Sequence, residues 1–77
     1  MTAQELRAER ISQGISARLL APRAKVSCSR LSDIERGYVA PSADELARIA
    51  RSLKDLIVAR RKLRAVAEEV GWPAGSI

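Results

Sequence analysis

Residues Val26 to Gly37 read V-S-C-S-R-L-S-D-I-E-R-G, and they spell out one short helix with its own start and stop. Ser27 is a good N-cap, because its hydroxyl can accept from an otherwise unpaired amide of the first turn. Leu31 and Ile34 stand three apart on one helical face, and Gly37 supplies the left-handed residue that closes a helix C-terminus. The other face carries Cys28, Ser29, Ser32, Asp33 and Arg36, every one small or polar. Such a face can lie flush against a surface and exchange hydrogen bonds with it.

Charge narrows the choice of surface. Three Lys and eleven Arg stand against nine acids, a net charge of +5 on 77 residues. That balance suits a polyanion, and double-stranded DNA before any other; a merely solvated basic surface is the plain alternative. The length fits a single domain, 1–77, which at this size buries only about 60% of its unfolded surface, so self-association would help it. Leu, Ile, Val and Ala dominate the apolar residues, with no Phe, one Trp and one Tyr, a composition that favours a helical core.

The same composition excludes function classes. With no His and one Cys, the chain offers no zinc ligand set and no acid–base constellation, so it reads as a non-enzyme without cofactor or metal. Glu68 and Glu69 are adjacent and point to different sides of a helix. A lone Cys forms no internal disulfide, and the N-terminus has no apolar run of the signal-peptide kind. The longest uncharged stretch in the last helix, Leu56 to Ala59, is far short of the roughly 20 residues that cross a bilayer. The expectation is a cytoplasmic protein with no membrane span.

The grammar around Ser27 recurs along the chain. Thr2, Ser16, Ser27 and Ser42 each have an apolar or Pro neighbour before them and Leu four residues after, and Glu5 and Glu45 complete capping boxes with Thr2 and Ser42. Four helix starts follow. The first helix runs from about Thr2 to Gln13 and ends at Gly14, with Arg10 on the same stripe as Ala3 and Leu6. Glu35 likewise falls beside the apolar stripe of the third helix. Opposite charges on core-facing stripes are tolerable when they meet, as a bidentate Arg10–Glu35 pair; the alternative is that both reach a solvated rim.

The second helix spans roughly Ala17 to Ala24, and Lys25 and Val26 leave room only for a tight turn before the third, a helix-turn-helix arrangement. Pro22 removes a backbone bond to Arg18 and predicts a kinked or shortened second helix. From Ser42 onward, positions 46, 49, 53, 56, 60, 63, 67 and 70 alternate by three and four, and six of the eight are Leu, Ile or Val. This pattern allows one helix to Val70 or two, with Asp55 capping the second; the lack of Gly or Pro between Leu53 and Leu56 leans toward continuity.

Taken together, the L-R-x-x-R of the first helix, the Ser16 cap with Leu20-Ala21, V-S-x-S-x-L-S-x-I-E-x-G and P-S-x-x-E-L-x-x-I-A resemble the phage-repressor and Cro-type helix-turn-helix family, also called the xenobiotic response element family. The resemblance covers Leu6 to about Leu53. It implies an all-α fold: a compact bundle of four or five helices, here with an extended C-terminal helix, whose third helix lies in the major groove. It places a DNA-binding core at 1–53 and leaves 54–77 as C-terminal helix and tail. It implies that Arg10 and Glu35 form a buried ion pair, and that Cys28, Ser29, Ser32 and Asp33 face base edges. Ser16, the amides that follow at Ala17 and Arg18, Ser27, Arg30 and Arg36 would lie near phosphates. Three residues depart from the family pattern: Ala17 where Gln is common, Lys25 where the turn usually has Gly, and Pro22.

One such module reads few base pairs, and the family's usual answer is a two-fold dimer on a palindromic site. The candidate interface is the C-terminal helix, where Leu56, Ile57, Leu63, Val66, Val70 and Trp72 exceed what so small a bundle needs; the alternative is that this helix completes the monomer core. Arg60, Arg61, Lys62 and Arg64 form a basic cluster there, either a solvated face or an extra contact to phosphate or an acidic partner. With these residues, the resemblance implies a DNA-binding regulator acting as a homodimer, a repressor rather than an activator being the expectation although the residues themselves do not choose between the two. The competing reading is an antitoxin-like or accessory module that docks a protein partner through its C-terminal helix. Cys28 is more simply a small neutral side chain than a redox switch.

Overall fold

The computed structural model describes residues 2–69. Four helices follow one another: α1 (Ala3–Ser12), α2 (Ala17–Arg23), α3 (Cys28–Arg36) and α4 (Ala43–Glu69). Each begins where a hydroxyl can take a first-turn amide. Thr2 Oγ1 accepts from Glu5 N (3.1 Å), Ser16 Oγ from Leu19 N (3.2 Å), Ser27 Oγ from Arg30 N (3.0 Å) and Ser42 Oγ from Glu45 N (3.1 Å). Glu5 and Glu45 return the bond to the cap amides, completing both boxes.

The stops have equally local causes. Gly14 (φ 68°) and Gly37 (φ 81°) take the left-handed backbone that glycine adopts without strain. Lys25 adopts it too, at φ 59°, in the turn between α2 and α3. There the glycine usual in the group that the sequence resembles is replaced by a residue that resists this conformation by roughly 1–2 kcal/mol. Pro22 lies inside α2, one residue from its end, and the helix closes at Arg23 with Ala24 as C-cap. The carbonyls freed at that end are taken by α4: Arg48 Nε donates to Ala24 O (3.2 Å) and Ser52 Oγ to Arg23 O (3.1 Å).

The core gathers Leu6 from α1, Ile15 from the following loop, Leu20 and Ala21 from α2, Leu31 and Ile34 from α3, and Ile49, Leu53 and Leu56 from α4. α4 is therefore the spine, and it is continuous through Asp55. At 1.5 Å per residue its 27 residues reach about 40 Å. The bundle covers only the first half. Leu56, counted in the sequence among the surplus apolar residues of a dimer face, is 6% exposed and belongs to the monomer's own core, because the α4 stripe continues one turn past Leu53 against Ile15 and α2. Ile57 is half-buried against the edge of that core, whereas Leu63 and Val66 stand exposed. Val70 and Trp72 lie outside the described residues. Arg60 secures the overhang, donating to Gly14 O at 2.9 Å. No helix among the described residues is long and apolar enough to cross a membrane.

Candidate nucleic-acid interface

Leu31, Ile34 and Glu35 hold α3 against the bundle, and geometry then decides what its other side presents. Ser29 and Arg36 are exposed, Ser32 and Asp33 half-buried beside them. Cys28 is exposed as well, yet its Sγ lies 4.0 Å from Ala17 O, on the flank of α3 that meets α2. The residues expected at base edges therefore form one polar strip with Ser29, Ser32 and Asp33 at its centre and Cys28 at its border.

Beneath the strip, Arg10 and Glu35 meet. Arg10 Nε donates to Glu35 Oε2 and Nη2 to Oε1, both at 2.8 Å, while Nη1 donates to Ile15 O, also at 2.8 Å. The side chains are only 13% and 7% exposed. Every edge of the guanidinium is used, so one arginine ties α1, the α1–α2 loop and α3 together. Among the described residues no buried side-chain polar atom lacks a partner, which is the condition under which a buried ion pair is tolerated.

Around the strip lie potential phosphate partners. Among the described residues the first two amides of each helix, Ala17 and Arg18 in α2 and Cys28 and Ser29 in α3, have no acceptor, since Ser16 and Ser27 serve the amides that follow. Ser16, Ser27, Arg18 and Arg36 are exposed, and Ala17 is half-buried on the edge of the core. Arg30 differs from the other cations. Its Nε and Nη2 grip Glu45 Oε2 (3.1 Å) and Oε1 (2.9 Å) across the gap between α3 and α4. The spacing of the sequence does not show this pair, nor how far Tyr38 stands out, 73% exposed just past the C-cap of α3. The one signal for Tyr38 was its being the chain's single tyrosine directly after Gly37.

A helix-turn-helix family model matches residues 6–54, which include all of α2 and α3 and the whole Arg10–Glu35 pair. The chain belongs to this family. The motifs that resembled the phage-repressor and Cro-type group lie within the matched span. Two kinds of relative support the assignment. An uncharacterized HTH-type transcriptional regulator of Sinorhizobium fredii is 39% identical over 61 residues, 78% of this chain and 31% of its own. Uncharacterized HTH-type transcriptional regulators from two strains of Mycobacterium tuberculosis are 45% identical over 49 residues, 64% of this chain and 35% of theirs. The chain thus spans about a third of the length of the curated relatives it matches. No solved structure matches it significantly.

Proposed function

We propose that this chain is the DNA-binding unit of a transcriptional regulator, a repressor that sets α3 into the major groove of double-stranded DNA and occupies a palindromic operator as a homodimer. The observation that carries the reading is the polar strip of Ser29, Ser32 and Asp33, presented outward on a helix fixed from beneath by the Arg10–Glu35 fork. Relatives named as transcriptional regulators support it, and its place is in the cytoplasm with the chromosome.

In this reading Arg18 and Arg36, with the free amides at the starts of α2 and α3, hold phosphate oxygens and set register. Ser29 and Ser32 donate to or accept from base edges, Asp33 accepts from a cytosine amino group, and Cys28 touches a thymine methyl. These are short readers, so each half-site discriminates modestly and two are combined. The pairing surface is the exposed part of α4, Leu63 and Val66, together with Val70 and Trp72 beyond it.

Selection of bound sites from random DNA, followed by anisotropy titration in increasing salt, tests the proposal. Binding weakens steeply with salt, the selected site is two-fold symmetric, and Arg36→Ala lowers affinity on all sequences alike. A loss confined to one base position would contradict the phosphate role of Arg36. A second reading is favoured by the exposure of Leu63 and Val66: a protein partner docks on α4 and DNA contact is secondary. Sedimentation separates the two, since a monomer at tens of micromolar removes the homodimer.

A further inference from the structure

The two arginines that flank the polar strip are not equally available to a phosphate. Arg36 stands exposed, whereas the Nε and Nη2 edge of Arg30 is already engaged by a carboxylate at 3.1 and 2.9 Å. That edge is one of the two that an arginine can offer to a phosphate in a two-bond grip. We propose that Glu45 acts as a built-in phosphate mimic, withholding Arg30 from the DNA backbone so that this flank of α3 adds no net charge to duplex affinity.

Three features make the hold effective although the pair is at the surface. First, Glu45 is fixed before Arg30 reaches it: Ser42 N donates to its Oε1 at 3.1 Å, and its own amide is held by Ser42 Oγ at 3.1 Å. Little side-chain freedom remains to be lost when the fork closes. Second, the Arg30 fork and the Ser42 amide, with Arg48 adding a smaller effect, hold the Glu45 carboxyl down at about 2. It is therefore charged throughout the neutral range. Third, the Arg30 guanidinium is held more firmly in its charged form by Glu45 and, more weakly, by Asp33 on its own helix.

Electrostatic arithmetic does the rest. Affinity for a duplex falls with salt by a slope of about 0.9 per phosphate neutralised. A pair of zero net charge contributes nothing to that slope. If Arg30 stays, its fork is occupied; if it swings to a phosphate, a bare carboxylate fixed by Ser42 is left beside the same backbone.

The inference rests on the DNA-binding reading and is tested with the full chain by anisotropy titration between 50 and 200 mM salt, on the selected operator and a scrambled duplex. Glu45→Gln keeps the capping box, for which Gln serves as well as Glu, while removing the charge. It binds both duplexes more tightly than wild type, with a slope steeper by about 0.9, or roughly a threefold larger loss over that salt range. Arg30→Gln in the Glu45→Gln background returns the slope to the wild-type value. A Glu45→Gln slope equal to or flatter than wild type overturns the role of Glu45, and a double variant clearly flatter than wild type overturns it by restoring Arg30 as an ordinary phosphate contact. Wild-type protein that binds no duplex at 50 mM salt overturns the DNA-binding reading and this inference with it. Unchanged helicity of both variants by circular dichroism separates these outcomes from loss of fold.

Discussion

Two arginine–carboxylate forks grip α3, one from below and one from the side, and they share nearly identical chemistry. Arg10–Glu35 lies between α1 and α3 with little solvent contact and a third bond to Ile15 O. Arg30–Glu45 bridges α3 to the start of α4, with the arginine 43% exposed. The difference between them is the medium. In the first, water cannot replace a lost partner, so the pair is part of the fold. In the second, water and salt reach the arginine, so the pair adds far less to folding than the first.

Breaking the lower fork is the largest effect expected. Arg10→Ala or Glu35→Ala leaves an uncompensated charge among α1, the α1–α2 loop and α3, and costs about 3–5 kcal/mol by urea denaturation. A small domain has only about 5–15 kcal/mol to lose. Removing both charges in Arg10→Met with Glu35→Leu recovers most of the deficit, because the penalty belongs to the orphan and not to the pair. A Glu35→Ala loss below about 1 kcal/mol would place the fork in a wetter setting than its exposure indicates. The corresponding change at the other fork, Arg30→Ala, shifts the urea midpoint at neutral pH only slightly.

A second contrast runs along α4. Leu53 is buried at its middle and Leu63, almost three turns on, is exposed. Leu53→Ala opens a cavity worth about 2–5 kcal/mol, while Leu63→Ala stays within about 0.5 kcal/mol as long as the chain is monomeric. If α4 is the pairing face, the wild-type melting temperature rises with protein concentration and Leu63→Ala abolishes that rise. A concentration-independent melt with intact DNA binding would move the dimer contact elsewhere or remove it.

What the sequence made legible was whatever depends on near neighbours. Caps at Thr2, Ser16, Ser27 and Ser42, the stop at Gly37 and the stripe through Ile49 and Leu53 each follow from residues within about a turn of one another. The Arg10–Glu35 contact was legible for a different reason, since two charges on apolar stripes exclude most other arrangements. The bonds from Arg48, Ser52 and Arg60 to carbonyls of Ala24, Arg23 and Gly14 were not legible. They join residues 24 to 46 apart, and nothing local distinguishes these polar residues from any other on a solvated helix face. The same blindness put Leu56 on the dimer face, because a periodic stripe does not show where the bundle stops covering it. The partner of Arg30 was hidden for a third reason: its charge and position on α3 pointed to phosphate, and only coordinates show that Glu45, fifteen residues later, reaches it.

The smallest effect separates the two forks by pH. Glu45 is held down to about 2 in the folded chain against an ordinary 4.5. A carboxyl with a depressed folded value contributes stability that is fully present above the unfolded value and is lost as pH falls through the folded one. The window is therefore about 4.5 to 2. Glu5, lowered by its bonds to Thr2, works in the same direction, so the informative quantity is the difference between wild type and Glu45→Gln, in which Glu5 cancels. That difference in urea midpoint stays constant above pH 5 and shrinks as the pH is brought toward 2. It also shrinks in 1 M salt at neutral pH, as expected of a fork open to solvent. A difference that persists unchanged to pH 2 would mean that Glu45 contributes through its helix cap alone, and that Arg30 is already free to meet the duplex.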